Sequence, residues 1–166
     1  MIESQLIILQ QAKTYLTSVS EQQYIEIISP SFMSAPGAHI RHILDHYYAI
    51  INGLETGLID YDQRSRGGVL ESSPQAALES IMEIELFLSE LTEQQLQQTL
   101  KLSTEISVKS KQVVIVNTTL AREVIFVGSH AVHHFSTIKQ ISQIQKLKVD
   151  SGLGIAPATA TFLRTG

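Results

Sequence analysis

TLAREVIFVGSHAVHHFSTIKQISQIQK, residues 119–146, reads as one long helix with two histidines in its apolar seam. Val124, Val127, Ala131, His134, Ile138 and Ile141 recur at the helical period. Asn117, Thr118 and Thr119 carry side-chain oxygens able to cap the first turn. His134 thus stands among residues that face a core, and His130 lies only about 40° from it around the helix. Side chains at i and i+4 project from one face, so both rings aim their nitrogens at one point. Two inward imidazoles need separate hydrogen-bond partners unless they share one, and a divalent metal ion is such a shared partner. His133 points roughly 100° away from His134 and reads as a supporting or surface residue.

Three more helices precede this one. Leu6, Leu9, Ala12, Leu16 and Val19 mark the first, about Glu3 to Ser20. After the loop Ser29-Pro30-Ser31 to Ala35-Pro36-Gly37, Pro36 suits the first turn of the second. That helix, roughly Pro36 to Leu54, carries Ile40, Ile43, Leu44, Tyr47, Ile51 and Leu54. Ser73 and Pro74 open the third as N-cap and first helical residue, with Leu78, Ile81, Glu85, Leu88 and Leu91 along one stripe. Before the fourth helix the period changes to two. Leu100, Leu102, Ile106 and Val108 alternate with polar residues and Val113 to Val116 is β-branched, which predicts a small hairpin turning near Ser110-Lys111. The stretch from Asp60 to Gly68 is loop by composition, and the Gly-, Ala- and Thr-rich tail from Asp150 to Gly166 is expected to be irregular. The expected fold is all-α: a four-helix bundle with one long crossover and a β-hairpin between its third and fourth helices. At 166 residues it forms one expected domain, 1–166, long enough for a core without disulfides.

All six histidines fall in two short segments, the second being GAHIRHILDH, residues 37–46. His39, His42 and His46 are candidates for a third metal ligand from another helix. The apolar stripe of the second helix centres near Tyr47, flanked by His39 and His46, with His42 further round. Periodicity favours His46 by a small margin.

Composition removes other classes of function. The net charge of −4 comes with no basic patch suited to a phosphate backbone, so no nucleic-acid partner is expected. There is no cysteine, which excludes a protein thiolate as nucleophile or ligand; any thiol must come from outside. The N-terminal MIESQLIILQQAKTYL has periodic apolar positions and no basic leader, and no stretch is apolar enough to span a bilayer. A cytoplasmic protein without a membrane partner is the expectation. Neither a Gly-rich phosphate loop nor a Ser-His-Asp pattern nor H-E-x-x-H is present.

The His130-x-x-x-His134 pair late in the fourth helix and the histidines of the second resemble the DinB/YfiT-like superfamily of metal-binding four-helix bundles. The loop Tyr61-Asp62-Gln63-Arg64-Ser65-Arg66, Ala121-Arg122-Glu123 and Gly154-Ile155-Ala156-Pro157 are similar to an uncharacterised bacterial branch of it. Setting Asp45 against the family's acidic position, three residues after its ligand, makes His42 the match. The resemblance therefore implies the triad His42, His130 and His134, with His46 as a fourth ligand, a supporting residue or a general base. It also implies a homodimer. Thiol-transferase relatives often open the second helix with tryptophan; this chain has none, and Ser34 falls near that position.

Three neutral imidazoles leave a divalent ion, zinc or nickel, with open positions and its full charge, which activates a bound water or thiol. The expected function is a metal-dependent enzyme acting on a small molecule, either a hydrolase or a transferase of a low-molecular-weight thiol. The rival is a non-catalytic, stress-related bundle with a structural metal. Three other polar positions carry weaker signals. Glu123 reads first as a first-turn glutamate favoured by the helix dipole, and second as a residue that orients an imidazole or a bound water. Arg64 and Arg66 read as a clamp for an anion or as a solvated loop. Asp45 reads as a partner of His42 or as a surface charge.

Overall fold

Four long helices carry the apolar stripes: α1 (Ile2–Ser18), α3 (Pro36–Thr56), α4 (Pro74–Glu90) and α6 (Leu120–Ile144). Short helices α2 (Glu21–Ile25) and α5 (Glu93–Leu96) and a 3-10 turn (Val69–Glu71) lie between them. The computed structural model describes residues 1–63 and 67–166, so Arg64 and Arg66 lie outside the described residues. α3 packs on α6 and α4, and α1 packs on α4 and α6. α1 and α3 therefore stand at opposite corners, as do α4 and α6. Two connections cross the bundle diagonally, through residues 19–35 and 91–119, rather than the one expected. No helix among the described residues is long and apolar enough to cross a membrane.

The expected caps form. Ser73 Oγ accepts from the backbone N–H of Ala76 at 3.2 Å, and Thr119 Oγ1 from that of Arg122 at 3.3 Å. On α6 the stripe of Val124, Val127, Ala131, Ile138 and Ile141 is buried as read, with Phe135 beside it. On α4 the buried line is Ala77, Ile81, Ile84 and Leu88, displaced from the one read through Glu85. Glu85 instead takes Lys13 of α1 at 2.8 Å along the edge of the helix pair.

The hairpin forms as β2 (Thr99–Glu105) and β3 (Val113–Thr119), antiparallel, with Leu102 opposite Val116. Ile106 and Val108 fall in the connection and are exposed, because the ladder ends at Glu105 opposite Val113. A third strand, β1 (Leu58–Asp60), escaped the sequence reading and pairs parallel with β2. Its origin is Gly57. That residue caps α3 with φ 76°, a left-handed conformation only glycine adopts without cost. The chain then reverses, the Gly57 carbonyl accepts from Lys101 N–H at 3.0 Å, and the segment runs beside β2.

The tail corrects another expectation. Pro157 opens a helix, α7 (Pro157–Thr165), where irregular chain was expected. Two of the tail's glycines, Gly152 and Gly154, precede this helix and the third, Gly166, ends it, so the Ala-Thr-Ala-Thr-Phe-Leu run between them has no helix breaker.

Candidate metal centre

Because α3 packs on α6, its histidines meet those of α6. His39, His42 and His46 occupy an arc of about 60° on α3, and Phe126, His130 and His134 repeat every fourth residue on α6. His130 Nε2 lies 3.0 Å from His42 Nε2 and 3.1 Å from His134 Nε2. Nitrogens sharing one ion at a bond length of about 2.0–2.1 Å sit roughly 2.9 Å apart at octahedral angles and 3.4 Å apart at tetrahedral ones. The observed separations fall between these values.

Ring orientation adds a second test. An imidazole lone pair lies in the plane of its ring, so rings that share an ion need planes that intersect near it. His42, His130 and His134 are mutually steep, at 72°, 71° and 79°. His46 is different. One nitrogen each of His42, His46 and His130 lies within 4.8 Å of the others, but the His46 ring stacks on His130 at 4.3 Å and 26°. Near-parallel, offset planes do not meet between the two rings. Distance alone thus groups His42, His46 and His130; ring planes set His46 apart from His130, although it stands steep to His42 at 81°, and leave His42, His130 and His134 mutually steep. The plane criterion is the more discriminating because coordination is directional.

The tautomer of His46 is fixed. Its Nδ1 lies 2.8 Å from the His42 carbonyl oxygen, which only accepts, so Nδ1 carries the proton and Nε2 the lone pair in the neutral ring. His46 is buried, while His42, His130 and His134 are half-buried. Burial, then the neighbouring His130, His39, His133 and His46 in that order, lowers the His134 pKa to about 3. Burial also lowers that of His39, with His133 adding to it. His134 is therefore neutral at physiological pH and its lone pair is available. The unfolded chain takes up this proton near 6.5 and the fold resists it to about 3. Without metal, the folded protein should lose stability progressively as pH falls through that window. Urea midpoints at roughly pH 7.5 and 4.5 test this, and His134→Ala should reduce the loss.

One side of the cluster is aromatic. Tyr61 stacks on His46 at 4.8 Å and 16°, and Phe126 on His130 at 5.8 Å and 20°. The Arg122 guanidinium sits 5.0 Å from the Phe126 ring centre. Tyr61 is there because β1 ends one residue before it, and its hydroxyl donates to Glu123 Oε2 at 2.6 Å. Glu123 is fully buried, and its Oε1 accepts from Thr118 Oγ1 at 2.5 Å and Arg122 Nη1 at 2.7 Å. Burial and this carboxylate hold the Tyr61 hydroxyl well above the usual tyrosine range, so it stays a donor. Glu123 does stand in the first turn of α6, as read, but it is buried and bonded to Tyr61, Thr118 and Arg122. It clamps Tyr61 behind His46 and ties β3 to α6. Asp45 accepts from Arg41 at 2.5 Å on the same helix, and Arg41 also pairs with Glu71 at 2.5 Å. His133 is exposed, as read.

The sequence reading gave no role to Phe126 or to the ring of Tyr61. Phe126 carried a signal, since it sits four residues before His130. Tyr61 carried none, because its place depends on a three-residue strand.

No family model matches the sequence. A solved DinB-like protein from Bacillus subtilis, YjoA, superposes with a TM-score of 0.61 over 92% of this chain and 96% of its own, at 16% identity. A DinB-like protein from Bacillus cereus ATCC 10987 superposes with a TM-score of 0.62 over 90% of this chain and 93% of its own, at 13% identity. The chain has the DinB-like fold. The DinB-like architecture implied by the histidine pattern is thereby borne out at the level of fold. Among curated proteins, FK506-binding protein 5 of Rhizopus delemar is 30% identical over 107 residues, or 64% of this chain. The match spans 28% of that protein, so most of the fungal chain has no counterpart here.

Proposed function

We propose that this DinB-like protein is a metal-dependent enzyme in which His42, His130 and His134 hold one divalent ion, zinc or nickel. The observation that carries the reading is the approach of His130 Nε2 to His42 Nε2 at 3.0 Å and to His134 Nε2 at 3.1 Å, with steep planes among the three rings. An all-imidazole set suits a borderline ion and leaves its charge undiminished. Such an ion supplies Lewis acidity and lowers the pKa of a water or thiol bound to it. The three histidines are half-buried, a degree of burial compatible with access by a small molecule, and Tyr61, His46 and Phe126 stack beside them. We propose a hydrolytic or thiol-transfer reaction. In the second case the thiol is an external, low-molecular-weight one, since the chain has no cysteine.

The alternative is a structural ion closed by His46 as a fourth ligand, a reading favoured by the distances among His42, His46 and His130. Cobalt substitution separates the two. An open ion changes its visible spectrum on addition of small thiols or carboxylates. A spectrum indifferent to both would replace the catalytic reading with the structural one.

A further inference from the structure

His39 lies outside the three-ring cluster yet touches it. Its Nδ1 is 2.9 Å from His134 Nδ1, and its Nε2 is 2.9 Å from Ser34 Oγ. A neutral imidazole has one N–H and one lone pair, so between two Nδ1 atoms one must donate and the other accept. The chain Ser34–His39–His134 therefore has two self-consistent polarities. In one, the Ser34 hydroxyl donates to His39 Nε2 and His39 Nδ1–H donates to His134 Nδ1. The proton of His134 is then on Nε2, facing His130, and no lone pair reaches the cluster. In the other, His134 Nδ1–H donates to His39 Nδ1 and His39 Nε2–H donates to Ser34 Oγ. His134 then presents a bare Nε2 lone pair toward His130 and His42. A hydroxyl both donates and accepts, so Ser34 can terminate either arrangement.

We propose that His39, terminated by Ser34, is a positioning residue that holds His134 in its Nδ1–H tautomer and fixes its ring angle for metal binding. The inference rests on the metal-site reading above. It gives His39 the task that a backbone carbonyl performs for His46, where Nδ1 is already satisfied by His42. The placement of His39 is built into the fold. It sits in the first turns of α3, two residues after Gly37, where a β-carbon would collide with the Glu71 carbonyl and the Tyr24 ring. That close approach seats the start of α3 against the 3-10 turn and α2, and with it the His39 ring opposite α6.

The test is cobalt titration, read by affinity and visible spectrum, of the full chain and of the variants H39A, H39F, H39N and S34A. H39A and H39F should weaken cobalt binding roughly 10–100-fold and alter the ligand-field bands. H39N, whose side-chain oxygen takes the Nδ1 position and accepts from His134, should recover affinity and spectrum to within a few-fold. S34A should fall between. Unchanged affinity and spectrum in H39A and H39F would overturn the positioning role alone, leaving the metal site intact. Equal losses in all three His39 variants would also overturn it, because packing and not an acceptor would then be at issue. Failure of the unmutated chain to bind cobalt would instead overturn the metal-site reading, and this inference with it.

Discussion

Replacing His130 with alanine is expected to abolish stoichiometric metal binding and leave the bundle folded. His130 is the hub of the cluster: it approaches both His42 and His134 through Nε2, and its ring packs against both His46 and Phe126. Without it, His42 and His134 remain as two donors from separate helices. The loss should far exceed the roughly 10–100-fold that follows removal of a supporting residue. His130 is half-buried, so truncation costs about 1 kcal/mol of stability, the usual scale for a single substitution. Elemental analysis after dialysis reads occupancy, and circular dichroism reads the fold. The same pair of measurements on His42→Ala and His46→Ala ranks the α3 histidines. The ring planes and the family pattern predict the larger loss for His42, and a larger loss for His46 would favour periodicity and simple proximity.

Glu123→Ala is expected to cost about 2–3 kcal/mol, the upper range for leaving buried hydrogen-bonding groups unsatisfied, since the Arg122 partner is exposed and strands no buried charge. The carboxylate is fully buried and accepts from Tyr61, Thr118 and Arg122. Its removal strands the Tyr61 and Thr118 hydroxyls and loosens the link between β3 and α6. Tyr61→Phe deletes one donor and keeps the ring against His46, so it should cost only about 1–2 kcal/mol. Metal affinity should survive Tyr61→Phe almost unchanged. Equilibrium urea unfolding measures both losses, and equal stability of Glu123→Ala and the parent chain would remove the clamp from the account.

The bundle was legible because its four long helices carry apolar residues at one period, two of them open on side-chain caps, Ser73 and Thr119, and a third on Pro36 in its first turn. Segments whose structure depends on distant partners were not. β1 is three residues long and exists because Gly57 turns the chain alongside β2, a pairing with residues some forty positions later. α7 was hidden by the glycines that precede Pro157. The second diagonal crossing follows from the order in which helices pack, which no local period encodes.

The site divides in the same way. Spacing brought His130 and His134 together, and the structure adds His42, His46 and His39 around them. Periodicity on α3 alone ranked His42 last because it measured distance from the apolar stripe. The relevant direction is the one toward α6. Glu123 is the first-turn glutamate that its position implies, but helix position does not describe the tyrosine that folds over it from the end of β1.

The central claim is that these imidazoles form a specific site for a divalent metal. The most direct measurement is equilibrium dialysis of the metal-stripped chain against zinc and, separately, nickel, followed by elemental analysis beside a variant with His42, His130 and His134 all replaced by alanine. The account predicts about one ion per chain in the parent protein and almost none in the triple variant. Equal retention by the two proteins, whether high or negligible, would contradict it.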